Sequence, residues 1–185
     1  MVARLRNRIT GDRGSPLQEN REEVILQMKL YIKERIFTIG DQFSVLDHMG
    51  NEKYFVEGEI FTWGKKLHVK NRFGEEVAFI KQELFTFLPC YRVYVGGREI
   101  AQVRKEFTFF LPRYTVDGPG WDVSGHFLEH DYEITKNGRP IVTIQKEWMT
   151  WGDSYELDIA DPADELAALA VVITIDCVVE SQNNN

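Results

Sequence analysis

Residues 162–180, PADELAALAVVITIDCVVE, constrain this chain more than any other stretch. Asp161 is a good N-cap, Pro162 suits a first helical position, and Asp164 and Glu165 put negative charge where the helix dipole favours it. From Leu166 the stretch is apolar nearly all round, through Ile173 and on to Ile175, Cys177, Val178 and Val179. A surface helix carries a polar face; a helix without one is buried in a core or in a membrane. A bilayer span needs roughly 20 apolar residues. This run is shorter, and Thr174 and Asp176 interrupt it. Ala163, Ala167, Ala168 and Ala170 permit close packing on several sides. The stretch reads as one central helix that the rest of the chain must enclose.

The enclosing material is strand. From Val24 to Leu157 the chain is rich in β-branched and aromatic residues in short alternating runs. Turn signals punctuate them at Asp47–Gly50, Asn71–Gly74, Val95–Arg98, Asp117–Gly120 and Lys136–Arg139, where Gly-Gly and Asn-Gly supply the positive φ of hairpin turns. Four segments align without gaps: Ile32–Val45, Ile80–Val93, Val103–Val116 and Ile144–Leu157. Each opens on a β-branched residue. An apolar residue follows at the fourth place (Ile36, Leu84, Phe107, Trp148) and another at the seventh (Ile39, Phe87, Phe110, Trp151). An aromatic follows at the eleventh (Phe43, Tyr91, Tyr114, Tyr155). Asp41, Pro89, Pro112 and Asp153 mark a turn, so each unit reads as strand, tight turn, strand.

The units belong to a larger internal duplication. Val56–Ile60 matches Val123–Phe127, and Gly74, Val77 and Ile80 match Gly138, Ile141 and Ile144. Two halves, 32–95 and 103–157, with about six strands each give about twelve strands. A sheet that long curls, and closure removes its exposed edges. A closed sheet of this size has a lumen wider than its own side chains fill, and the C-terminal helix is the missing plug. The expected fold is mainly β: a closed antiparallel barrel around a central hydrophobic helix. The expected core includes Ile36, Phe37, Phe43, Tyr91, Phe110, Trp148 and Tyr155 from the strands. From the helix it takes Leu166, Leu169, Val172, Ile173 and Val179. A flexible arginine-bearing arm, 1–22, precedes the barrel domain, 23–181, and a polar tail, 182–185, follows it.

The opening Tyr31-Ile32-Lys33-Glu34-Arg35, the segment Phe37–Phe43, the paired Val-x-Gly-x-apolar stretches and the final helix together resemble the LURP-one-related family. That family belongs to the Tubby C-terminal-like superfamily, with the phospholipid scramblases among its relatives. The resemblance implies a barrel of twelve antiparallel strands around a hydrophobic helix. It implies no defined activity. Tubby proteins bind phosphoinositide head groups, and scramblase relatives are linked to membrane lipid and calcium. No Tubby-type phosphoinositide motif stands in this sequence, so no binding residue is transferred.

The residues offer little catalytic chemistry. His126 and His130 are four apart, but in a strand or irregular context. Cys90 follows Pro89 at a turn, no Gly-x-Ser-x-Gly elbow exists, and Gly96-Gly97 is a hairpin turn rather than a phosphate loop. Asp153, Asp158, Asp161 and Asp164 lack the calcium-loop pattern. Asp176 is a carboxylate in an apolar helix; it must reach the barrel mouth or meet a partner. Cys90 and Cys177 make no disulfide framework and read as buried thiols. With no apolar signal run near the N-terminus, they point to the cytoplasm.

With 29 acidic against 22 basic residues, the net charge of -7 argues against nucleic acid as a partner. The basic residues Lys65, Lys66, Lys70 and Arg72 concentrate near one strand, and alternation puts Lys66, His68, Lys70 and Arg72 on one face. Lys65, Lys66, Lys70 and Arg72 form the candidate site for an anionic head group. A second basic group is Arg98, Arg104 and Lys105. The expected function is a non-catalytic binding module, without cofactor or metal, for anionic phospholipid or phosphoinositide head groups or a protein partner. A scramblase-like protein anchored by its helix, and an enzyme with an unrecognised site, are the alternatives.

Overall fold

The computed structural model describes residues 28–33, 42–60, 62–107, 113–149 and 152–183. The elements, in chain order, are β1 (Met28–Lys33), β2 (Gln42–Asp47), β3 (Glu52–Gly58), β4 (Lys66–Asn71), β5 (Glu76–Gln82), β6 (Cys90–Val95), β7 (Arg98–Lys105), β8 (Tyr114–Asp117), β9 (Trp121–His126), β10 (Asp131–Lys136), β11 (Arg139–Met149) and β12 (Gly152–Ile159). A 3-10 turn, Pro162–Asp164, leads into α1, Glu165–Asn183. Each strand pairs antiparallel with its chain neighbours, and β1 pairs with both β2 and β12, so the sheet closes. Closure leaves no long unpaired edge to template aggregation.

The strands alternate as a barrel wall requires. In β4, Leu67 and Val69 are buried while Lys66, His68 and Lys70 are only half-buried; in β5, Ala78 and Ile80 point in. The inner face meets α1, whose residues from Ala168 to Ile173 are fully buried, as are Thr174, Ile175 and Val178. Burying a large aliphatic side chain contributes roughly 1.5–3 kcal/mol, so the helix and the wall stabilise each other. The helix lies closest to β5, β6 and β7, where Ala78 and Ala101 leave room for it.

Antiparallel connectivity gives the barrel two ends. The connection β2–β3 and its even-numbered successors turn at one end, which also holds the end of β12. There the helix enters. Its first residue, Glu165, is held by Lys53 Nζ at 2.6 Å and by the Tyr54 hydroxyl at 2.9 Å. At the other end the helix exits, and Lys65 Nζ reaches Glu180 at 2.7 Å.

All five expected hairpin turns fall between strands. The four aligned segments fall on β1–β2, β5–β6, β7–β8 and β11–β12. Their opening residues Ile32, Ile80, Val103 and Ile144 and their aromatics Phe43, Tyr91, Tyr114 and Tyr155 are buried. The tight turn expected inside each unit is not what forms in the second. β5 ends at Gln82 and β6 begins at Cys90, so residues 83–89 make a wide loop. Phe85 there has φ 61, which takes it off any ladder, and Pro89 has no N–H to donate. Ile36, Phe37 and Phe110, and the side chain of Trp148, lie outside the described residues, as does the arm 1–22. Leu166 and Val179 pack against the core while only partly buried. The helix runs through Asn183, past the end expected at Glu180, and takes up the start of the polar tail. Ser181, in that last turn, donates its hydroxyl to the Val178 carbonyl at 2.8 Å.

Candidate functional site

β4 presents the expected basic side chains on the barrel exterior, but among carboxylates. Lys66 Nζ bonds Glu59 at 2.8 Å, and Lys70 bonds Glu57, both on the neighbouring β3 side. His68 bridges Glu76 through Nδ1 at 2.5 Å and Glu59 through Nε2 at 3.0 Å. Burial disfavours the charged imidazole, but hydrogen bonds to Glu76 and Glu59 outweigh it and raise the His68 pKa above its usual value. Glu59 is held below the usual carboxylate range, first by Lys66 and then by His68. Along its length, then, each outward basic side chain of β4 is paired with a carboxylate from beside it. Lys65 is turned toward the helix end, and Arg72, in the β4–β5 turn at the helix-entry end, lies over Phe73 at 4.8 Å. The four candidate residues do not converge on one spot.

Across the strands the picture differs. The register pairs Lys66 with Lys81 and Lys81 with Arg92. Three cations therefore stand side by side on the outer face of β4, β5 and β6, one strand spacing apart, about 4.8 Å. Lys66 is paired with Glu59, and Arg92 with Glu83 at 3.0 Å and Glu99 at 3.2 Å. Lys81 is exposed and has no carboxylate partner among the described residues. Charge runs in the sequence did not reveal this row, because its members are far apart in the chain. The aligned segments carried a signal for Lys81 alone, which follows the buried opening residue Ile80 and so points outward.

Inside the barrel, Asp176 meets partners rather than solvent. Tyr155 donates its hydroxyl to Asp176, and His130 Nε2 lies 3.5 Å from the other carboxylate oxygen. The His130 ring stacks on Tyr155 at 4.3 Å and 8°. Burial, with the Asp176 charge beside it, raises the Tyr155 pKa, which keeps the proton on the phenol. His126 is exposed on β9 while His130 faces this buried cluster, so the two histidines sit in different surroundings. Both cysteines are buried and free. Burial pushes the Cys177 thiol up to about 12, which leaves it no thiolate to react. Asp161 accepts from the Ala163 amide at 2.8 Å, the capping role its position predicts.

The exterior carries two further features. β8 and β9 share a single paired position, Val116 with Trp121. A cleft of about 500 Å³ opens there, floored by Tyr114, Trp121 and Phe127. The second feature is apolar. Of nine large apolar side chains exposed among the described residues, Met49 and Phe73 lie at the helix-entry end. Ile60, Trp63, Leu84, Phe85, Phe87, Phe107 and Leu128 all lie in connections at the helix-exit end.

Barrel, enclosed helix and an exterior that carries the free polar chemistry define a class: closed twelve-strand antiparallel barrels built on a central C-terminal helix. Residues 28–176 match the LURP-one-related family, and the chain belongs to it. The chain is 31% identical over 151 residues to uncharacterised protein YxjI of Bacillus subtilis, covering 82% of this chain and 93% of that one. Its fold is similar to the X-ray structure of a protein from Arabidopsis thaliana. The TM-score is 0.56 at 15% identity, over 81% of this chain and 90% of the other. No helix among the described residues is long and apolar enough to cross a membrane, and α1, the helix considered as an anchor, is enclosed by the strands.

Proposed function

We propose that this protein is a non-catalytic binding module whose ligand is the anionic head group of membrane phospholipid. The observation that carries the reading is the lateral row Lys66, Lys81 and Arg92 on the barrel exterior. The interior is filled by α1, so recognition falls to the outer surface. The chain as a whole is acidic, so attraction to an anionic surface must be local. Each basic group near such a surface contributes about 1 kcal/mol, and Lys81, flanked by two further cations, is placed to contribute first. Lys65, Lys70 and Arg72 fall outside the row, each turned to another partner.

The test is co-sedimentation with vesicles of equimolar phosphatidylcholine and phosphatidylserine. Wild-type protein binds at low salt and is released as salt rises, because exposed charges are screened within about 8 Å at physiological ionic strength. Changing Lys66, Lys81 and Arg92 together to Ser abolishes binding. It lowers the melting temperature by only a few degrees, since Lys81 is exposed and surface ion pairs such as those lost with Lys66 and Arg92 each contribute little. Changing Lys70 and Arg72 to Ser leaves binding intact. Wild-type protein that stays in the supernatant at low salt refutes the reading.

A further inference from the structure

We infer that the helix-exit end of the barrel inserts aromatic loop tips into a lipid bilayer, with Trp63, Phe85 and Phe87 as the inserted side chains. The inference deepens the head-group reading by adding the element that enters the bilayer, and it stands on different residues.

The three side chains are displayed rather than left over. Trp63 is 84% exposed, Phe85 98% and Phe87 92%. A barrel with a filled core gains nothing from them there, and exposed apolar groups concentrated in one place mark interaction sites. Their loops are fixed to each other. The Gln82 amide donates to the Lys65 carbonyl at 2.8 Å, and the Lys65 amide donates to Gln82 Oε1 at 2.8 Å. The Thr62 hydroxyl donates to the Gly64 carbonyl at 3.0 Å. Gly64 has φ +80, which favours glycine, and a Cβ there would meet Leu84 Cδ2 at 2.8 Å, so the two loops touch at this position.

Phe85 adds an independent observation. Its φ of 61 is left-handed, a conformation that costs a bulky residue energy and is uncommon outside glycine and asparagine. A loop shaped by stability alone would place Gly or Asn there. Strained backbone of this kind gathers at functional sites, and here it holds a phenyl ring outward. The sequence repeats the theme in Phe61-Thr62-Trp63, Phe85-Thr86-Phe87 and Phe107-Thr108-Phe109; of these, the described Trp63, Phe85, Phe87 and Phe107 lie in three connections at this end.

The cation Lys81, unpartnered among the described residues and with Lys66 and Arg92 beside it, selects a bilayer as the occupant. The row Lys66, Lys81 and Arg92 lies at the roots of the same two loops: Lys66 follows Lys65, and Lys81 precedes Gln82. Aromatic tips beyond a row of cations match the order of a membrane surface, with acyl chains and glycerol below and anionic phosphates above. Tryptophan and its relatives favour that interface, where one part of the ring is apolar and another is wet. Separate tips that stand almost fully free suit a fluid that closes around each of them.

The experiment uses the full chain and two vesicle types, pure phosphatidylcholine and an equimolar mixture with phosphatidylserine. Phe85→Asn with Phe87→Ser removes both rings, and Asn accepts the left-handed backbone, so the melting temperature stays level or rises. The expected result is a loss of affinity for the mixed vesicles of about tenfold or more. Affinity of the double variant equal to wild type, with salt-sensitive binding retained, overturns insertion and leaves the head-group reading standing. Binding to both vesicle types that needs Phe85 and Phe87 but ignores the Lys66, Lys81 and Arg92 triple change supports insertion and overturns the head-group reading. No binding of wild-type protein to either vesicle overturns both. A concentration-dependent dimer abolished by the double variant, without vesicle binding, overturns insertion in favour of an interface between copies of this chain.

Discussion

Tyr155 and Tyr132 place two phenols in the same barrel interior with opposite circumstances. Tyr155 is fully buried and donates to Asp176, a carboxylate in the middle of an apolar helix. Tyr132 is buried too, but its hydroxyl has no hydrogen-bond partner among the described residues. A buried acceptor stripped of its donor costs more than the bond itself is worth, and a charged one most of all. Tyr155→Phe is therefore expected to destabilise the protein by about 2–3 kcal/mol. Tyr132→Phe is expected to be neutral or to stabilise by up to about 1 kcal/mol, because it removes a polar atom that burial leaves unpaid. Urea unfolding of the two variants checks the contrast through the shift in midpoint at constant slope. Equal losses would mean that Asp176 does not depend on the Tyr155 hydroxyl. Its presence in α1 flagged Asp176 as needing a partner; which partner was invisible, because Tyr155 and His130 reach it only after the barrel closes.

At the scale of elements, α1 has no solvent face, and this sets what it tolerates. Ala168 and Ala170 are fully buried on a helix that lies closest to β5, β6 and β7. Overpacking a dense core costs typically 1–3 kcal/mol, so Ala170→Leu is expected to lower stability by about that much. A thermal melt reads the change; an unaltered melting temperature would show slack around the helix. The helix, its start and its burial were legible because an all-round apolar pattern has few solutions. Strand positions were legible too, since Ile80 and Tyr91 keep their places through the aligned segments and face inward. The loop of residues 83–89 was not. Leu84 and Phe87 carry the same apolar signature as wall residues, and the left-handed backbone at Phe85, a property of geometry rather than composition, helps take them out of the sheet. The cationic row escaped for a related reason. Lys66, Lys81 and Arg92 become neighbours through register, and register is set by pairing across strands.

On the scale of the whole molecule, wall and helix are two halves of one core. Leu30, Ile32, Val45, Val56, Ile80, Val93, Ile144 and Leu157 are all fully buried on the inner face of the barrel. They owe that burial to one another and to α1. Without the helix, the wall encloses a lumen lined by aliphatic side chains, which either fills with water at great cost or collapses and breaks the register of the strands. The ion pair of Lys53 with Glu165 at one end and that of Lys65 with Glu180 at the other also disappear, although partly buried pairs of this kind give up in desolvation much of what they gain in attraction. The loss is therefore hydrophobic. A chain ending at residue 161 is expected to lose cooperative unfolding and to expose apolar surface, seen as dye binding and aggregation in place of a sharp melt. Co-expressing residues 162–185 as a separate peptide is expected to recover part of the fold, because the energy that holds the helix in the wall is side-chain packing. A truncated chain that melts sharply and stays monomeric would mean that the barrel closes on its own side chains, and the central helix would then be an occupant of the fold and not its core.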